Sequence, residues 1–313
     1  MTRTHKNILK KWVCSMDNEL LLFDRVNVIK DIINKYGADN FYLSFSGGKD
    51  STILHYLVDM ALPNNNIPRV FINTGIEYND IVSFVKELAE KDNRFVILKP
   101  TKPIKQTLDT YGYPFKSKQH SHNLMVYQNS GIGLSVKRYL GIIESTTKFR
   151  CPNCLKYQFT DNFKIKCSDK CCLKLKKEPI HKWEKENNRL IAITGMRNSE
   201  GGERASIKSC VLTDKNGQIK RFHPLIKVDD NWENWFIKEK NIQLCKLYYP
   251  PFNFKRTGCR GCPFSLDLAD QLKTMEIYLP NERKQCELIW KPVYEEYRRI
   301  GFRLKRKEQL KLF

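Results

Sequence analysis

Long apolar runs are missing from this chain. Nowhere do about 18 apolar residues follow one another, the length a membrane-spanning helix needs, so no such helix is expected. The opening stretch MTRTHKNILKKWVCSMDNELLLF is basic but lacks the apolar core and small-residue cleavage site of a secretion signal. No internal repeat and no low-complexity tract stands out, so the chain is not read as a repeat array. Acidic residues are scarce: 34 Asp and Glu face 55 Lys and Arg, a net charge of +21. That excess implies an acidic partner, such as a nucleic acid, a nucleotide or an anionic surface; with no membrane-spanning run, no membrane partner is expected. Without a signal for export the expected compartment is the cytoplasm. There the 11 cysteines point to metal binding or redox work more than to disulfides.

What is present is enough for one large domain, or for one domain plus a smaller one, with 41% hydrophobic residues to fill a core. In residues 19–36 Leu22, Val26, Ile29 and Ile33 fall on one helical stripe, and Gly37 follows as a C-cap. Then comes an alternation: FYLSFS (41–46) reads as a strand, DSTILHYLVDMAL (50–62) as a helix and RVFINT (69–74) as a strand. NDIVSFVKELAEK (79–91) reads as a helix, and RFVILKP (94–100) and RLIAITGMR (189–197) as strands. NWENWFIKE (231–239) reads as a helix. Continuous apolar strands alternating with helices predict an α/β fold, a parallel sheet with helices on both faces. Residues 112–188 have weak periodicity and hold most of the clustered cysteines, so they read as a cysteine-rich insertion.

The string Ser46-Gly47-Gly48-Lys49-Asp50-Ser51 joins a buried strand to a helix. A helix N-terminus there offers unpaired N–H groups and partial positive charge to an anion. Glycines let the backbone approach a phosphate closely. Ser46 and Ser51 add hydroxyls, Lys49 adds charge, and Asp50 is placed to cap the helix or to support Mg2+. The string is not a Walker loop, which needs G-x-x-x-x-G-K-[ST].

It resembles the pyrophosphate loop of the phosphoadenosine phosphosulfate (PAPS) reductase-like family within the ATP-pyrophosphatase superfamily. FINTGIEYND (71–80), TGMRNSEGGERAS (194–206) and HPLIKVDDNWENWFIKEKNI (223–242) resemble further segments of that family, in its order. The resemblance implies an adenine nucleotide alpha hydrolase-like fold. It implies ATP or another adenine nucleotide held by Ser46, Gly47, Gly48, Lys49 and Ser51, and lined by Asn73, Thr74 and Gly75. Asp50, Arg197 and Arg204 are the expected catalytic and anion-binding residues, since arginine forks suit phosphate or sulfate. It also sets the expected organisation: an N-terminal helical segment (1–40), the nucleotide-binding domain (41–265) with its insertion at about 112–188, and a basic C-terminal helical segment (266–313).

Cys171-Cys172 and the distant Cys259-x-x-Cys262 resemble the [4Fe–4S] ligands of the adenylylsulfate reductase branch, with Lys174, Lys176, Lys177 and Pro179 following the first pair. Cys151, Cys154 and Cys167 have a spacing that suits Zn2+. Cys14, Cys210, Cys245 and Cys286 are isolated and read as small apolar residues. The family's reductases resemble one another in a Glu-Cys-Gly-x-His segment whose cysteine attacks sulfur; these 313 residues do not contain it. The expectation is therefore ATP-dependent sulfur transfer, with tRNA or DNA as acceptor and a protein as sulfur or electron donor. The stretch YYPPFNFKR (248–256) could stack on a base. Sulfonucleotide reduction is the second reading, and a non-catalytic, zinc-containing nucleic-acid binder the third.

Overall fold

Strands too apolar to face water on either side fold as the inner members of one sheet. The computed structural model describes residues 3–144, 149–200 and 202–305, with side chains of the first helix from Asp17 onward. Cys14 and the end of the basic tail, 306–313, lie outside what is described. In chain order come α1 (Arg3–Tyr36), β1 (Phe41–Phe45), α2 (Lys49–Ala61), β2 (Arg69–Ile72), α3 (Asn79–Lys91) and β3 (Phe95–Leu98). Next are α4 (Ile104–Tyr111), α5 (Lys118–Ser130), α6 (Leu134–Leu140), α7 (Lys170–Cys172) and, after a π-helical turn at Leu173–Lys177, α8 (Glu178–Glu186). Then follow β4 (Ile191–Ile193), β5 (Val211–Thr213), β6 (Ile219–Phe222), α9 (Asp230–Glu239), α10 (Leu268–Tyr278), α11 (Pro280–Ile289) and α12 (Lys291–Ile300).

The sheet runs β3-β2-β1-β4-β6-β5. All pairings are parallel except β5 with β6, so the expected parallel sheet gains one antiparallel edge. Central β1 pairs Leu43 with Arg69 of β2 and with Ile193 of β4. Phe41, Tyr42, Leu43 and Phe45 are all buried. Helix α2 buries Ile53, Leu54, Leu57, Val58 and Ala61, and each large side chain among them is worth about 1.5–3 kcal/mol. Helix α3 buries Ile81 and Val85.

The chain divides into two compact units. The first comprises residues 1–72, 79–98 and 181–256 and contains the sheet. The second comprises 73–78, 99–180 and 257–313. Its core includes His120, fully buried, whose ring nitrogens lie 2.9 Å from Tyr139 Oη and 2.7 Å from Gln158 Oε1. Burial lowers this imidazole to about 4 and keeps it neutral. No helix among the described residues is long and apolar enough to cross a membrane.

Candidate phosphate loop and thiol cluster

The first unit positions the loop at the C-terminal end of β1. Parallel strands end there with helix N-termini converging, so anions are favoured. The loop is held from within. The Ser46 amide donates to Ser51 Oγ (3.2 Å), and the two hydroxyl oxygens lie 3.0 Å apart. The Gly48 amide donates to Ser46 Oγ at 3.3 Å. Ser51 Oγ and Thr52 Oγ1 both donate to the Gly48 carbonyl, at 2.9 and 3.0 Å. Gly47 has φ +70, and a Cβ there would stand 2.8 Å from Ile81 Cγ2 and 3.1 Å from Val85 Cγ2. Only glycine meets both conditions.

Charged residues gather beside it. Lys49 Nζ lies 2.8 Å from Glu233 Oε2 and 3.9 Å from Asp230 Oδ1. Arg197, 5% exposed, reaches Asp50 (2.8 Å), Asp230 (2.8 Å) and Glu233 (3.1 Å). Gly195 brings these together, because a Cβ there would sit 3.0 Å from Asp50. Asp50 therefore serves Arg197 and does not cap α2, whose N-cap is Gly48 with no side-chain hydrogen bond. Asp229 does cap its helix, accepting from the Trp232 amide at 2.8 Å, and so fixes where α9 presents Glu233. Glu233 is fully buried, and its two oxygens contact the cations without hydrogen-bond alignment. Burial first, then Asp50 beside it, holds its carboxyl above the usual carboxylate range.

Sequence reasoning missed Glu233. It also missed Tyr248 as a backbone partner of the loop: its Oη accepts from the Lys49 amide at 3.0 Å. Thr194 and His223 end β4 and β6, with Thr194 Oγ1 and His223 Nδ1 2.6 Å apart. Arg204, placed just before the β5–β6 hairpin, adds its charge near His223.

Asn73, Thr74 and Gly75 fall in the second unit with Cys171, Cys172, Cys259 and Cys262. Their turn is closed by Glu77, which accepts from the Thr74 amide and hydroxyl at 2.7 Å, and by Asn73 Oδ1, which accepts from the Gly75 amide at 3.1 Å. Glu77 lies 3.4 Å from Lys176 Nζ, and Lys176 hydrogen-bonds the Cys259 sulfur. Cys171 lies in the fields of Cys259, Cys172 and Cys262, and burial followed by these charges raises its thiol. Burial pushes Cys262 up to about 12, opposed by a hydrogen bond from the Phe264 amide.

The loop 259–263 is held by aromatic donors from α12 and from the residue just before it. Trp290 Nε1 donates to Arg260 O (3.2 Å), Tyr294 Oη to Gly261 O, and Tyr297 Oη to Pro263 O (2.9 Å). Among the described residues no group of three or more His, Cys, Asp or Glu is arranged to hold a single metal ion. The expected Zn2+ set is accordingly not assembled. Cys151 has Cys154 among its charged neighbours, whereas buried Cys167 has Glu296. The other four thiols share one locality, beside Lys176. Four thiols beside one lysine are the donor type that a [4Fe–4S] cluster takes. Cys286 is fully buried and its thiol is pushed up to about 12 by burial, so it packs and is not presented as a nucleophile. The ten cysteines described are all free thiols.

The family model for the phosphoadenosine phosphosulfate reductase domain matches residues 40–129 and 142–265. A sequence relative is an uncharacterised protein of Methanocaldococcus jannaschii, 26% identical over 259 residues. The match covers 81% of this chain and 48% of that protein, so the chain spans about half the length of its curated relative. Among solved structures, a PAPS reductase from Candida auris in a phosphate complex is 15% identical, with 83% of this chain and 96% of that one covered and a TM-score of 0.43. A Candida glabrata FMN adenylyltransferase with FMN and an ATP analogue is 14% identical, covering 76% and 62%, with a TM-score of 0.44. The NH3-dependent NAD synthetase of Campylobacter jejuni is 12% identical, covering 88% and 95%, with a TM-score of 0.40.

Proposed function

Because the chain belongs to the phosphoadenosine phosphosulfate reductase domain family, we propose that it is an adenine-nucleotide-dependent enzyme of sulfur chemistry, transferring sulfur to a nucleic acid such as tRNA or DNA. The acceptor's oxygen attacks the α-phosphorus of ATP and pyrophosphate leaves. Sulfide-level sulfur, delivered as hydrosulfide by a donor protein, then attacks the activated atom, and AMP leaves carrying that oxygen. The observation that supports this most is the Ser46–Ser51 loop, braced by its own hydroxyls and flanked by Lys49 and Arg197.

In this reading Ser46, Gly47, Gly48, Lys49 and Ser51 hold the phosphates. The cations neutralise charge that builds on departing pyrophosphate. Arg197, kept in place by Asp50 and Glu233, and Arg204 bind anionic groups of the substrate. Asn73, Thr74 and Gly75 line the nucleotide. Mg2+ is usually held by one or two carboxylates plus substrate phosphates, and Asp50, 31% exposed, is the carboxylate to offer. Cys171, Cys172, Cys259 and Cys262 hold a [4Fe–4S] cluster, which when bound supplies electrons or a sulfur-binding iron. The ten described free thiols suit the cytoplasm.

A second reading, reduction of a sulfonucleotide, is favoured by those same four thiols standing together beside Lys176. The deciding experiment is pyrophosphate release from ATP, with and without tRNA or DNA, on anaerobically purified protein. Release that depends on nucleic acid supports transfer. Sulfite formation from an adenylylated sulfate, with no pyrophosphate from ATP, supports reduction.

A further inference from the structure

We propose that the second unit carries a phosphodiester-binding groove at the first and last turns of α4, which docks a nucleic-acid strand beside the thiol cluster. This rests on the reading that the sulfur acceptor is a nucleic acid. Three observations carry it. First, the chain's positive charge is unevenly shared: Lys and Arg outnumber Asp and Glu 28 to 14 in the second unit but 27 to 20 in the first. Phosphate binding supplies the first unit with a reason for some cations, yet the larger excess lies elsewhere.

Second, exposed cations border a concavity. A surface concavity of about 610 Å³ is lined by Pro103, Lys105, Gln106, Asp109 and Thr110. Lys166 Nζ donates to the Thr110 carbonyl at 2.8 Å on its rim. Lys102 and Lys174 stand 6.0 and 4.9 Å from the Tyr111 ring centroid, one residue further on. Lys105 in the first turn, and Lys102, Lys166 and Lys174 about the last residues, thus border this helix, against the acids Asp109 and Glu178, the latter paired with Lys174 at 2.6 Å. A half-buried tyrosine among exposed lysines is the combination that grips a single strand, backbone by charge and base by ring.

Third, α4 packs on the π-helical turn and on α7, the helix that bears Cys171 and Cys172. A strand lying in the groove is thereby brought to the thiols within one unit. Phosphate contacts of this kind carry affinity and position without reading sequence.

The test uses the full chain and fluorescein-labelled single-stranded RNA and DNA of equal length, followed by anisotropy between 50 and 200 mM salt. Lys105→Gln/Lys166→Gln should lower affinity about tenfold or more. It should also flatten the slope of log K against log salt by about 1.4, or about 0.7 for each lost phosphate contact. Lys30→Gln/Lys91→Gln, on α1 and α3, should bind like the parent. RNA bound more tightly than DNA identifies an RNA acceptor, and the reverse a DNA acceptor; either supports the groove. The groove is overturned if the parent binds neither strand at 50 mM salt, or if the double variant keeps the parent's slope. It is likewise overturned if polyglutamate of equal charge competes as well as the strand, which would make the partner an acidic protein. Pyrophosphate release from ATP in the presence of the strands is measured separately: its absence alongside intact strand binding would sink the adenylation reading and leave the groove standing.

Discussion

Gly47→Ala tests the loop most directly. The residue has φ +70, where an L side chain costs roughly 1–2 kcal/mol. Its new methyl would stand 2.8 Å from Ile81 Cγ2 and 3.1 Å from Val85 Cγ2. Those partners are 2% and 0% exposed, so they have no solvent to retreat into. Forcing a methyl into such packing costs about 1–3 kcal/mol. Together the two effects give about 2–5 kcal/mol of lost stability, read by urea unfolding. Gly217→Ala is the control: its φ is +76 but nothing lies within 4 Å of the added methyl, so only the backbone cost of about 1–2 kcal/mol applies. The difference between the two variants isolates the clash. If the loop escapes by turning outward, stability is spared, but the Gly48 and Lys49 amides are re-aimed and calorimetric affinity for pyrophosphate falls. A Gly47→Ala protein with the stability loss of Gly217→Ala and undiminished pyrophosphate affinity would refute the account.

Other outcomes are expected. Arg197→Ala strips buried Glu233 and partly buried Asp50 of their shared cation, so about 3–5 kcal/mol of stability should vanish with most pyrophosphate affinity; Glu233→Gln, measured the same way, should be far milder. His55, His120 and His223 are each lowered to about 4, chiefly by burial, so the unfolded chain binds more protons than the folded one below pH 6.5. Stability is therefore full above pH 6.5 and is lost as pH falls from there through 4, and His120→Gln should flatten that slope in equilibrium unfolding. Tyr297→Phe removes a buried donor to Pro263 O and an acceptor for the Lys116 amide, at about 1–3 kcal/mol. Because the next peptide N–H, that of Phe264, supports Cys262, the same variant should also bind iron less firmly in a chelator challenge. Anaerobic protein should be brown, with about four irons per chain, and Cys262→Ala should be colourless.

The strand–helix alternation from residue 41 to 98 was legible because each element keeps a clean period: α3 falls on residues 79–91 as read, and β1 and α2 within a residue. The β5–β6 hairpin was not read, although Asn216-Gly217 is a strong turn signal. Its flanking strands have three and four residues, too few to show a pattern. Helices α4–α6 escaped because polar contacts from afar hold them, such as His120 to Gln158. The loop was legible as a contiguous string. Glu233 was not, because a buried glutamate on α9 looks in sequence like any solvated one. Likewise nothing local marks Trp290, Tyr294 and Tyr297 as the residues that hold the Cys259–Cys262 turn.

The four clustered thiols also set a schedule for biosynthesis. Cys171 and Cys172 leave the ribosome about 90 residues ahead of Cys259. At roughly 5–20 residues per second the early pair waits on the order of 5–20 s for its mates. The aromatic side chains that brace the later pair are made later still. On the proposed reading, loading of iron would wait until the braces at Trp290, Tyr294 and Tyr297 have been made, and a nascent chain stalled before Trp290 would carry the four thiols without them.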